Sequence, residues 1–325
     1  MTTGADDARW MAAALSLAER ARGRSTPNPN VGCVIVQGGR VLGRGWTQPG
    51  GRPHAEAMAL EQTGETARGA TCYVTLEPCA HVSPRGPACA DLLVAAGVAR
   101  VVVALRDPDP RTDGDGIARL AAAGIAVTTG IGAAEARRSM AGFLTRQRFG
   151  RPHVTLKLAL SLDGAAAMGD GRSQWITGAE ARAHAHLERA RHDAILIGRG
   201  TLAADQPRLD VRLAGLERRA PARILLSATP EPGWITLAAP GAIATLAGVD
   251  TLLVEGGAAT AAAFLAEDLV DRLLLYRAPI LIGGGRTLPT IGLDDLAQAH
   301  GRWARLDARQ LGSDGLAVYE RTGRD

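Results

Sequence analysis

The segments His54-Ala55-Glu56, Pro78-Cys79 and Cys89 decide the fold of the first half of this 325-residue chain. His54 opens a stretch with helical spacing, Pro78-Cys79 follows a strand-like run, and Cys89 opens the next helix-like stretch. A catalytic zinc site needs three protein ligands and an open position for water, and one imidazole with two thiolates supplies that set. The pattern therefore predicts a Zn²⁺ site with His54, Cys79 and Cys89 as ligands.

The same segments predict a hydrolytic deamination. Zinc lowers the pKa of a bound water, so that hydroxide is available near neutral pH. Glu56, two residues from His54, is the predicted carrier of the proton to the ring nitrogen and to the departing ammonia. An H-x-E motif followed by P-C and a second cysteine is the pattern of zinc deaminases that act on bases. A non-catalytic zinc site is the alternative, since structural sites are typically closed by four ligands and His81 is a candidate fourth.

Outward from these motifs, helical and strand patterns alternate. Helices are predicted from Asp6 or Asp7 to residue 22 and over residues 54–63, 88–96, 113–123 and 133–146. Strands are predicted over residues 31–37, 40–45, 70–76, 100–105 and 125–129. This order is typical of an α/β/α sandwich similar to that of cytidine deaminases.

A short linker at residues 149–152 separates a second α/β region. Its predicted strands cover residues 153–160, 194–197, 224–226, 251–254 and 273–276, and its predicted helices cover residues 178–191 and 258–266. A chain of this length is expected to form two domains. We predict a first domain over residues 1–148 and a second over residues 149–325.

Composition narrows the function classes. Hydrophobic residues make up 46% and charged residues 22% of the chain, which is typical of globular proteins. No apolar run reaches the roughly 18 residues of a membrane helix, and the N-terminal stretch lacks a basic signal region, so we expect a cytoplasmic protein. A net charge of +4 suits a phosphorylated substrate, and with only 3% aromatic residues we expect no nucleic-acid partner.

Rare residue types mark further candidates. Lys157 is the single lysine, and Asn28 and Asn30 are the only asparagines. Because lysine and arginine differ in shape and pKa behaviour, Lys157 is a candidate functional residue. Two further cysteines, Cys33 and Cys72, lie inside strand patterns and are predicted to be buried apolar residues.

Three segments of the first half, Pro27–Val34, Thr75–His81 and Pro87–Asp91, resemble a known family. It is the bifunctional riboflavin biosynthesis family, the diaminohydroxyphosphoribosylaminopyrimidine deaminase/5-amino-6-(5-phosphoribosylamino)uracil reductases. The resemblance implies that Asn28 and His81 contact the substrate and that Arg85 stands near its phosphate. In that family the second cysteine usually comes one residue sooner, so residues 82–86 hold one extra residue here.

The second half resembles the reductase half of that family, which has a dihydrofolate-reductase-like fold and uses NADPH. The matching segments are Lys157–Gly164, Ser173–Thr177, Thr201–Asp205, Val254–Gly257 and Ala278–Gly284. The implied reaction is hydride transfer to C1′ of the opened ribose, which gives a ribityl chain. The implied substrate contacts are Lys157, Ser173, Arg189, Asp205, Leu209, Arg212 and Glu255, and the implied cofactor contacts are Ala159, Trp175, Thr201, Asp205, Gly256 and Gly257.

Roles follow for some of these residues. Arg189 and Arg212 are candidates to pair with the substrate phosphate, and Lys157, Asp205 and Glu255 are candidates to assist ring opening and proton transfer. Trp175 is either a cofactor wall or core packing. Free backbone N–H groups at Gly256-Gly257, ahead of an alanine-rich helix, favour phosphate binding.

Alternatives remain open at this stage. Gly198–Ala203 fits the G-x-G-x-x-A fingerprint of dinucleotide-binding folds. A nucleobase or tRNA deaminase fused to a degenerate or unrelated nucleotide-binding domain would share His54, Glu56 and Cys79. The stretch from Arg212 to Thr251 is shorter than in typical members of the resembling family, so reductase activity is less firmly predicted than deaminase activity. We also predict a homo-oligomer, either a dimer or a tetramer.

Overall fold

The computed structural model describes residues 4–81 and 83–324. The chain divides into two compact units, Met1–Gly150 and Arg151–Asp325, and the predicted boundary after residue 148 lies just before this division. Residues 1–3 of the predicted first domain, Val82 of the predicted longer loop, and Asp325 lie outside the described residues. Within the described ranges, none of the helices is long and apolar enough to span a bilayer.

The first unit is built on a mixed sheet with strand order β2-β1-β3-β4-β5. β1 is antiparallel to β2 and β3, whereas β3, β4 and β5 are parallel. The strands are β1 (Gly32–Gln37), β2 (Arg40–Trp46), β3 (Thr71–Val74), β4 (Arg100–Val103) and β5 (Ala126–Thr129). The helices are α1 (Gly4–Ala18), α2 (Ala55–Thr63), α3 (Cys89–Ala96), α4 (Asp115–Ala122), α5 (Ala133–Ser139) and α6 (Ala141–Phe149).

The predicted order of elements is the observed one, with two corrections. The first helix ends at Ala18 rather than at residue 22, and the helix predicted over residues 133–146 is divided into α5 and α6. The division falls at Met140, a fully buried residue whose φ of −97° and ψ of 18° are not helical. A continuous apolar pattern cannot reveal such a break, because both helices bury the same kind of side chain.

Close packing sets the position of α2 on the sheet. A Cβ at Gly45 of β2 would lie 2.1 Å from the carbonyl oxygen of Ala55, so only glycine permits this approach. Cys33 and Cys72 are fully buried on neighbouring strands, with their sulfur atoms 3.5 Å apart, which confirms their prediction as core residues. This packing holds the first turn of α2, with Glu56, firmly against the sheet.

The second unit contains a larger sheet with strand order β12-β13-β11-β6-β10-β7-β8-β9. Neighbouring strands are parallel except that β13 is antiparallel to β11 and β12. The strands are β6 (His153–Leu160), β7 (Ala194–Gly198), β8 (Ala222–Leu226), β9 (Ile235–Leu237), β10 (Thr251–Val254), β11 (Arg272–Arg277), β12 (Trp303–Leu311) and β13 (Asp314–Arg321). The helices are α7 (Ala179–Ala190), α8 (Arg199–Asp205) and α9 (Ala258–Ala266).

This topology shows that Gly198–Ala203 is not the fingerprint of a dinucleotide-binding fold. β7 lies inside the sheet, between β10 and β8, and both β6 and α7 precede it in the chain. A Cβ at Gly198 would lie 2.2 Å from Thr260 Oγ1 of α9, so this glycine is required for helix packing. The motif therefore does not mark the first turn of a Rossmann domain.

Burial of His153, the first residue of β6, predicts a pH-dependent stability of the second unit. Desolvation lowers the pKa of this 8% exposed imidazole from 6.5 to about 3. Between these values the unfolded chain binds a proton that the folded chain excludes, so stability falls by about 1.4 kcal/mol per unit of falling pH. We expect His153→Gln to remove this part of the slope. Urea unfolding of the wild-type and variant proteins at about pH 7 and about pH 5 measures this contribution to stability. An equal pH dependence of the two proteins would contradict the role of His153.

Candidate functional site

One histidine and two cysteines converge at the starts of two helices in the first unit. His54 immediately precedes α2, Cys79 lies in the loop after β3, and Cys89 is the first residue of α3. His54 Nδ1 lies 3.6 Å from Cys79 Sγ and 3.3 Å from Cys89 Sγ, and the three ligand atoms are all within 4.8 Å of one another. Ligand bonds of about 2.0–2.3 Å in a tetrahedron place ligand atoms roughly 3.6 Å apart, so the cluster fits Zn²⁺.

A buried carboxylate positions the loop that carries Cys79. Glu77 is 3% exposed and accepts hydrogen bonds from the backbone N–H groups of Asp107 (3.1 Å), Gly114 (3.1 Å) and Ile117 (3.0 Å). Glu77 thereby provides hydrogen-bond acceptors for backbone N–H groups at the start of α4 that have no partner within the helix. The loop is fixed two residues before the metal-ligating position.

The electrostatics of the cluster favour a metal and a proton carrier. Hydrogen bonding with Cys89, assisted by His54, lowers the pKa of Cys79 to about 4, and the thiolate is the metal-binding form. Glu56, in the first turn of α2, is 4% exposed, and burial raises the pKa of its carboxyl to about 7. A carboxyl that titrates near neutral pH can both accept and deliver a proton.

Asn28 and Arg85 meet at one turn beside His54. The Asn28 Nδ2 atom lies 3.0 Å from the Gly51 carbonyl oxygen and 2.8 Å from His54 Nε2. Arg85 Nη2 donates to the Gly50 carbonyl oxygen at 2.7 Å. Gly51 has a φ of +87°, and a Cβ there would lie 2.7 Å from Asn28 Cγ, so the turn requires glycine. The structure thus brings these two predicted residues together, although they are distant in sequence.

His81 lies outside the ligand cluster and bonds elsewhere. Its Nδ1 atom is 3.3 Å from Thr112 Oγ1, and the group that could hold a metal in the described chain comprises His54, Cys79 and Cys89 without it. The cluster therefore offers three candidate protein ligands, the number that a catalytic zinc requires, rather than the four of a structural site. Substrate contact remains the predicted role of His81.

Asp107, a buried carboxyl in the loop after β4, was not predicted from the sequence as a candidate site residue. This residue is 7% exposed, and burial, together with the neighbouring carboxylates Asp109 and Glu77, raises its pKa to about 6. The available signal was the rigid Asp-Pro-Asp-Pro segment directly after a buried strand. Such a segment at the carboxyl end of a parallel strand is a typical position for binding residues.

Every residue predicted for the second site lines one cavity of about 1200 Å³ in the second unit. The structure therefore brings together side chains from β6, α7, α8, the loop after α8, and the start of α9. They are Lys157, Ala159, Ser173, Trp175, Arg189, Thr201, Asp205, Leu209, Arg212, Glu255, Gly256 and Gly257. The cavity is large enough for a dinucleotide and a small substrate together.

Arg189 has a different partner from the predicted substrate phosphate. Its Nε and Nη2 atoms donate to the two carboxylate oxygens of Glu255 at 2.8 and 2.9 Å, and its Nη1 atom donates to the Asp210 carbonyl oxygen at 3.1 Å. The Glu255 side chain is only 7% exposed, so its charge needs a buried counter-ion. Arg212, which is 60% exposed and 3.4 Å from Asp210, remains available to a ligand.

The single lysine faces this cavity from β6. Burial lowers the pKa of Lys157, although the nearby Glu255 carboxylate acts in the opposite direction. Its Nζ atom is 5.8 Å from the ring centre of Tyr276, whose hydroxyl is 2.7 Å from His184 Nδ1. A lysine with a lowered pKa can exchange a proton more readily than a solvated one.

The residues predicted to contact the cofactor lie along one wall of the cavity and at the start of α9. Trp175 is 64% exposed and carries the Arg182 guanidinium 4.9 Å from its ring centre, so it is not core packing. The Gly257 N–H, predicted to be free for a phosphate, instead donates to Thr201 Oγ1 at 3.1 Å, immediately before α9. Asp205 accepts one from Gln174 at 3.3 Å. Polar groups and a helix N-terminus at one wall fit the phosphates of a nucleotide cofactor.

Models of two known protein families match the two halves of the chain. Residues 5–105 match the cytidine and deoxycytidylate deaminase zinc-binding region, and residues 152–314 match the RibD C-terminal domain. The chain is thus an enzyme with a zinc-dependent deaminase half and a reductase half. It belongs to the RibD family of riboflavin biosynthesis proteins, so the alternative of an unrelated second domain is wrong.

The similarity extends over almost the whole chain. The chain is 42% identical over 346 residues to riboflavin biosynthesis protein RibD of Escherichia coli (strain K12), a match that covers 90% of this chain and 94% of that protein. The structure of Acinetobacter baumannii RibD, form 1, superposes with a TM-score of 0.88 at 38% identity, covering 98% of this chain and 100% of that one. A diaminohydroxyphosphoribosylaminopyrimidine deaminase/5-amino-6-(5-phosphoribosylamino)uracil reductase from Thermotoga maritima gives a TM-score of 0.88 at 30% identity, covering 97% and 98% of the two chains. These matches confirm the predicted two-domain α/β fold.

Proposed function

We propose that this chain catalyses two consecutive steps of riboflavin synthesis. The first is hydrolytic deamination of 2,5-diamino-6-(5-phosphoribosylamino)pyrimidin-4(3H)-one. The second is NADPH-dependent reduction of the ribosyl chain of 5-amino-6-(5-phosphoribosylamino)uracil to ribityl. The observation that carries the proposal is the three-ligand cluster of His54, Cys79 and Cys89 beside the buried Glu56, in a chain that also holds the second cavity.

In the deaminase half, the residues divide into metal ligands, a proton carrier and substrate contacts. His54, Cys79 and Cys89 would hold zinc, which when bound would acidify a water and so supply a nucleophile near neutral pH. Glu56 would take a first proton from the attacking water and give it to the ring nitrogen, and would then carry the second proton from the new hydroxyl to the amino group that departs as ammonia. Asn28 and His81 orient the pyrimidine, and Arg85 binds near its phosphate.

In the reductase half, the residues hold the sugar and move protons. The reductase half uses NADPH, which supplies the hydride for C1′ when it is bound. Lys157 and Asp205 assist ring opening and return a proton to the substrate, and Arg189 keeps Glu255 ionised beside them. Trp175 walls the cavity and limits access of water to the reacting carbon. The stretch between Arg212 and Thr251, although short, still contains β8 and β9, which form one edge of the second sheet.

A coupled assay tests the two steps separately. The purified chain is given the diaminopyrimidine substrate or its deaminated product, and ammonia release and NADPH oxidation are followed independently. We expect ammonia from the diaminopyrimidine without NADPH, and NADPH oxidation only when the deaminated pyrimidine is present. Absence of ammonia release would contradict the first half of the proposal, and absence of NADPH oxidation with any pyrimidine would contradict the second.

We further propose that the protein is cytoplasmic and forms a homo-oligomer, a dimer or a tetramer. A phosphorylated, non-exported substrate supports the compartment, and the exposed apolar side chains Leu162, Ile280 and Leu281 of the second unit support self-association. Light scattering coupled to size-exclusion chromatography measures the mass in solution, and a single species at 33.7 kDa would contradict the oligomer.

A further inference from the structure

Two loops of the second unit are tied together along the wall of the reductase cavity. The first follows β6 and covers residues 161–177, and the second follows β11 and covers residues 278–289. The carboxylate of Asp163 accepts hydrogen bonds from the backbone N–H groups of Ile282 (3.1 Å) and Gly283 (2.8 Å) and from the hydroxyl of Ser161 (2.6 Å). These bonds, chiefly the one from Ser161, lower the pKa of Asp163 to about 2, so it stays ionised at all working pH values. We call this arrangement the Asp163 clamp.

Hydrogen bonds between the same two loops fix the position of Arg286. The Ala166 N–H donates to the Arg286 carbonyl oxygen at 2.8 Å, and the Arg286 N–H donates to the Ala167 carbonyl oxygen at 2.9 Å. The side chain is also held, since Arg286 Nε donates to the Gly169 carbonyl oxygen at 3.2 Å. A Cβ at Gly285 would lie 2.6 Å from Ala165 Cβ, so the two loops approach as closely as glycine allows. Arg286 is therefore preorganised at both its backbone and its Nε atom.

Arg286 forms no close ion pair within the described residues, although its charge adds a small part to the lowering of the Asp170 pKa that hydrogen bonds from Arg172 chiefly cause. Arg189 is engaged by Glu255, and Arg212 lies 3.4 Å from Asp210, whereas no carboxylate of the described residues forms an ion pair with Arg286. Its guanidinium lies beside Gly171, where a Cβ would come within 3.2 Å of it. Both Arg286 and Gly171 line the cavity.

A phosphate ester is the ligand that fits this arrangement. With Nε bound to a carbonyl, the Nη1 and Nη2 atoms remain as a planar pair of donors, which suits two oxygens of one phosphate. Arg182, Arg199 and Arg208 also line the cavity. The Arg182 guanidinium is stacked on Trp175 and donates from Nη1 to the Thr177 carbonyl oxygen, Arg199 pairs with Glu231, and Arg208 has no hydrogen bond among the described contacts that fixes its direction. Arg286 combines an Nε atom fixed by a carbonyl oxygen with Nη1 and Nη2 atoms that form no ion pair within the described residues.

We infer that Arg286 is a phosphate-binding residue of the reductase cavity and that Asp163 is its positioning residue. The inference rests on the proposed function, because both the cofactor and the pyrimidine substrate carry phosphate groups. Neither residue was given a role by the sequence, although Asp163 lies in a segment that resembles the reductase family.

Direct binding measurements test the inference without turnover. Dissociation constants of NADPH, NADH and the deaminated pyrimidine phosphate are measured by calorimetry for wild-type protein and for Arg286→Gln. We expect one of the phosphorylated ligands to bind about 10-fold to 100-fold more weakly to the variant, as for a lost charge-assisted bidentate contact. Arg286→Lys, which keeps the charge but not the planar pair of donors, should recover part of the loss.

Comparison of the dissociation constants of these ligands identifies which phosphate Arg286 binds. A loss for NADPH that is absent for NADH indicates the 2′-phosphate, and an equal loss for both indicates the diphosphate. A loss for the pyrimidine phosphate that is absent for its dephosphorylated riboside indicates the substrate phosphate. Arg172→Gln is the matched control, because Arg172 lies in the facing loop, is exposed and already pairs with Asp170. Unchanged dissociation constants for all ligands in Arg286→Gln, or an equal loss in Arg172→Gln, would overturn the inference.

The positioning role of Asp163 has its own variant. Asp163→Ala should weaken binding of the same ligand that Arg286→Gln affects and leave the other ligands unchanged. Asp295→Ala is the control, since Asp295 is also exposed and accepts a backbone hydrogen bond from Ala297 within its own turn. A uniform loss for every ligand in Asp163→Ala would show general loop damage and contradict the positioning role. Failure of the proposed function would be seen separately, as absent NADPH oxidation by wild-type protein.

Discussion

Glu56→Gln is expected to reduce ammonia release from the diaminopyrimidine by about 10²-fold to 10⁴-fold, the usual contribution of a general acid–base group. The amide has nearly the same shape as the carboxyl and fills the same buried position in the first turn of α2. It cannot take up the proton of the attacking water or deliver one to the leaving ammonia. Rates of ammonia release at saturating substrate measure the effect.

Zinc content and reductase activity separate this loss from general damage. Because Glu56 is not in the ligand cluster, Glu56→Gln should retain one zinc ion per chain by elemental analysis. NADPH oxidation on the deaminated pyrimidine should be unchanged, since it depends on the second unit. Glu61→Gln, an exposed substitution on the same helix, is the matched control and should leave both activities intact. Normal deamination by Glu56→Gln would exclude Glu56 as the proton carrier.

The deaminase ligands could be predicted from sequence because each lies at a local signal. His54 and Cys89 mark the starts of α2 and α3, and Cys79 follows β3 by a few residues. The turn that joins Asn28 to Arg85 could not be predicted, because it depends on the backbone of Gly50 and Gly51 rather than on any motif. Residue types at element ends are visible in one sequence, whereas contacts between separate loops are not.

The second unit shows the same limit more strongly. Segments that resemble the reductase family predicted the cavity residues, but not that Arg189 and Glu255, 66 positions apart, form a buried ion pair. β12 was not predicted because it carries mostly exposed side chains with no clear two-residue alternation. β13 was not predicted either, although Leu316 and Val318 alternate with less buried residues. β12 is an edge strand that is held by its backbone hydrogen bonds to β13. Such pairing requires no particular amino-acid composition, so it is hard to predict from the sequence.

The ion pair of Arg189 and Glu255 predicts the largest effect on stability. Arg189→Leu leaves the Glu255 carboxylate in a site where it is 7% exposed and unpaired. Loss of one partner of a buried pair costs about 3–5 kcal/mol, whereas replacing both partners by apolar groups is often close to neutral. We therefore expect the double variant Arg189→Leu/Glu255→Leu to be more stable than Arg189→Leu alone. Urea unfolding of the second unit measures the double-mutant cycle, and additive losses would contradict the coupling.

The pH dependence of this variant distinguishes a lost charge partner from lost packing. In the wild-type protein, burial acts to raise the pKa of Glu255, but the Arg189 guanidinium outweighs it and holds the pKa below its ordinary value. This contribution to stability is present above the unfolded pKa and is lost as pH falls through the folded one. Without Arg189, burial is opposed only by the smaller effects of Lys157 and His186. We therefore expect the folded pKa of Glu255 to rise above the unfolded value, so that the folded variant binds the extra proton. The stability gap between the variant and the wild-type protein should therefore narrow as pH is lowered from about 7 to about 5. A gap that is constant over this range would indicate that Arg189 acts by packing rather than by pairing its charge with Glu255.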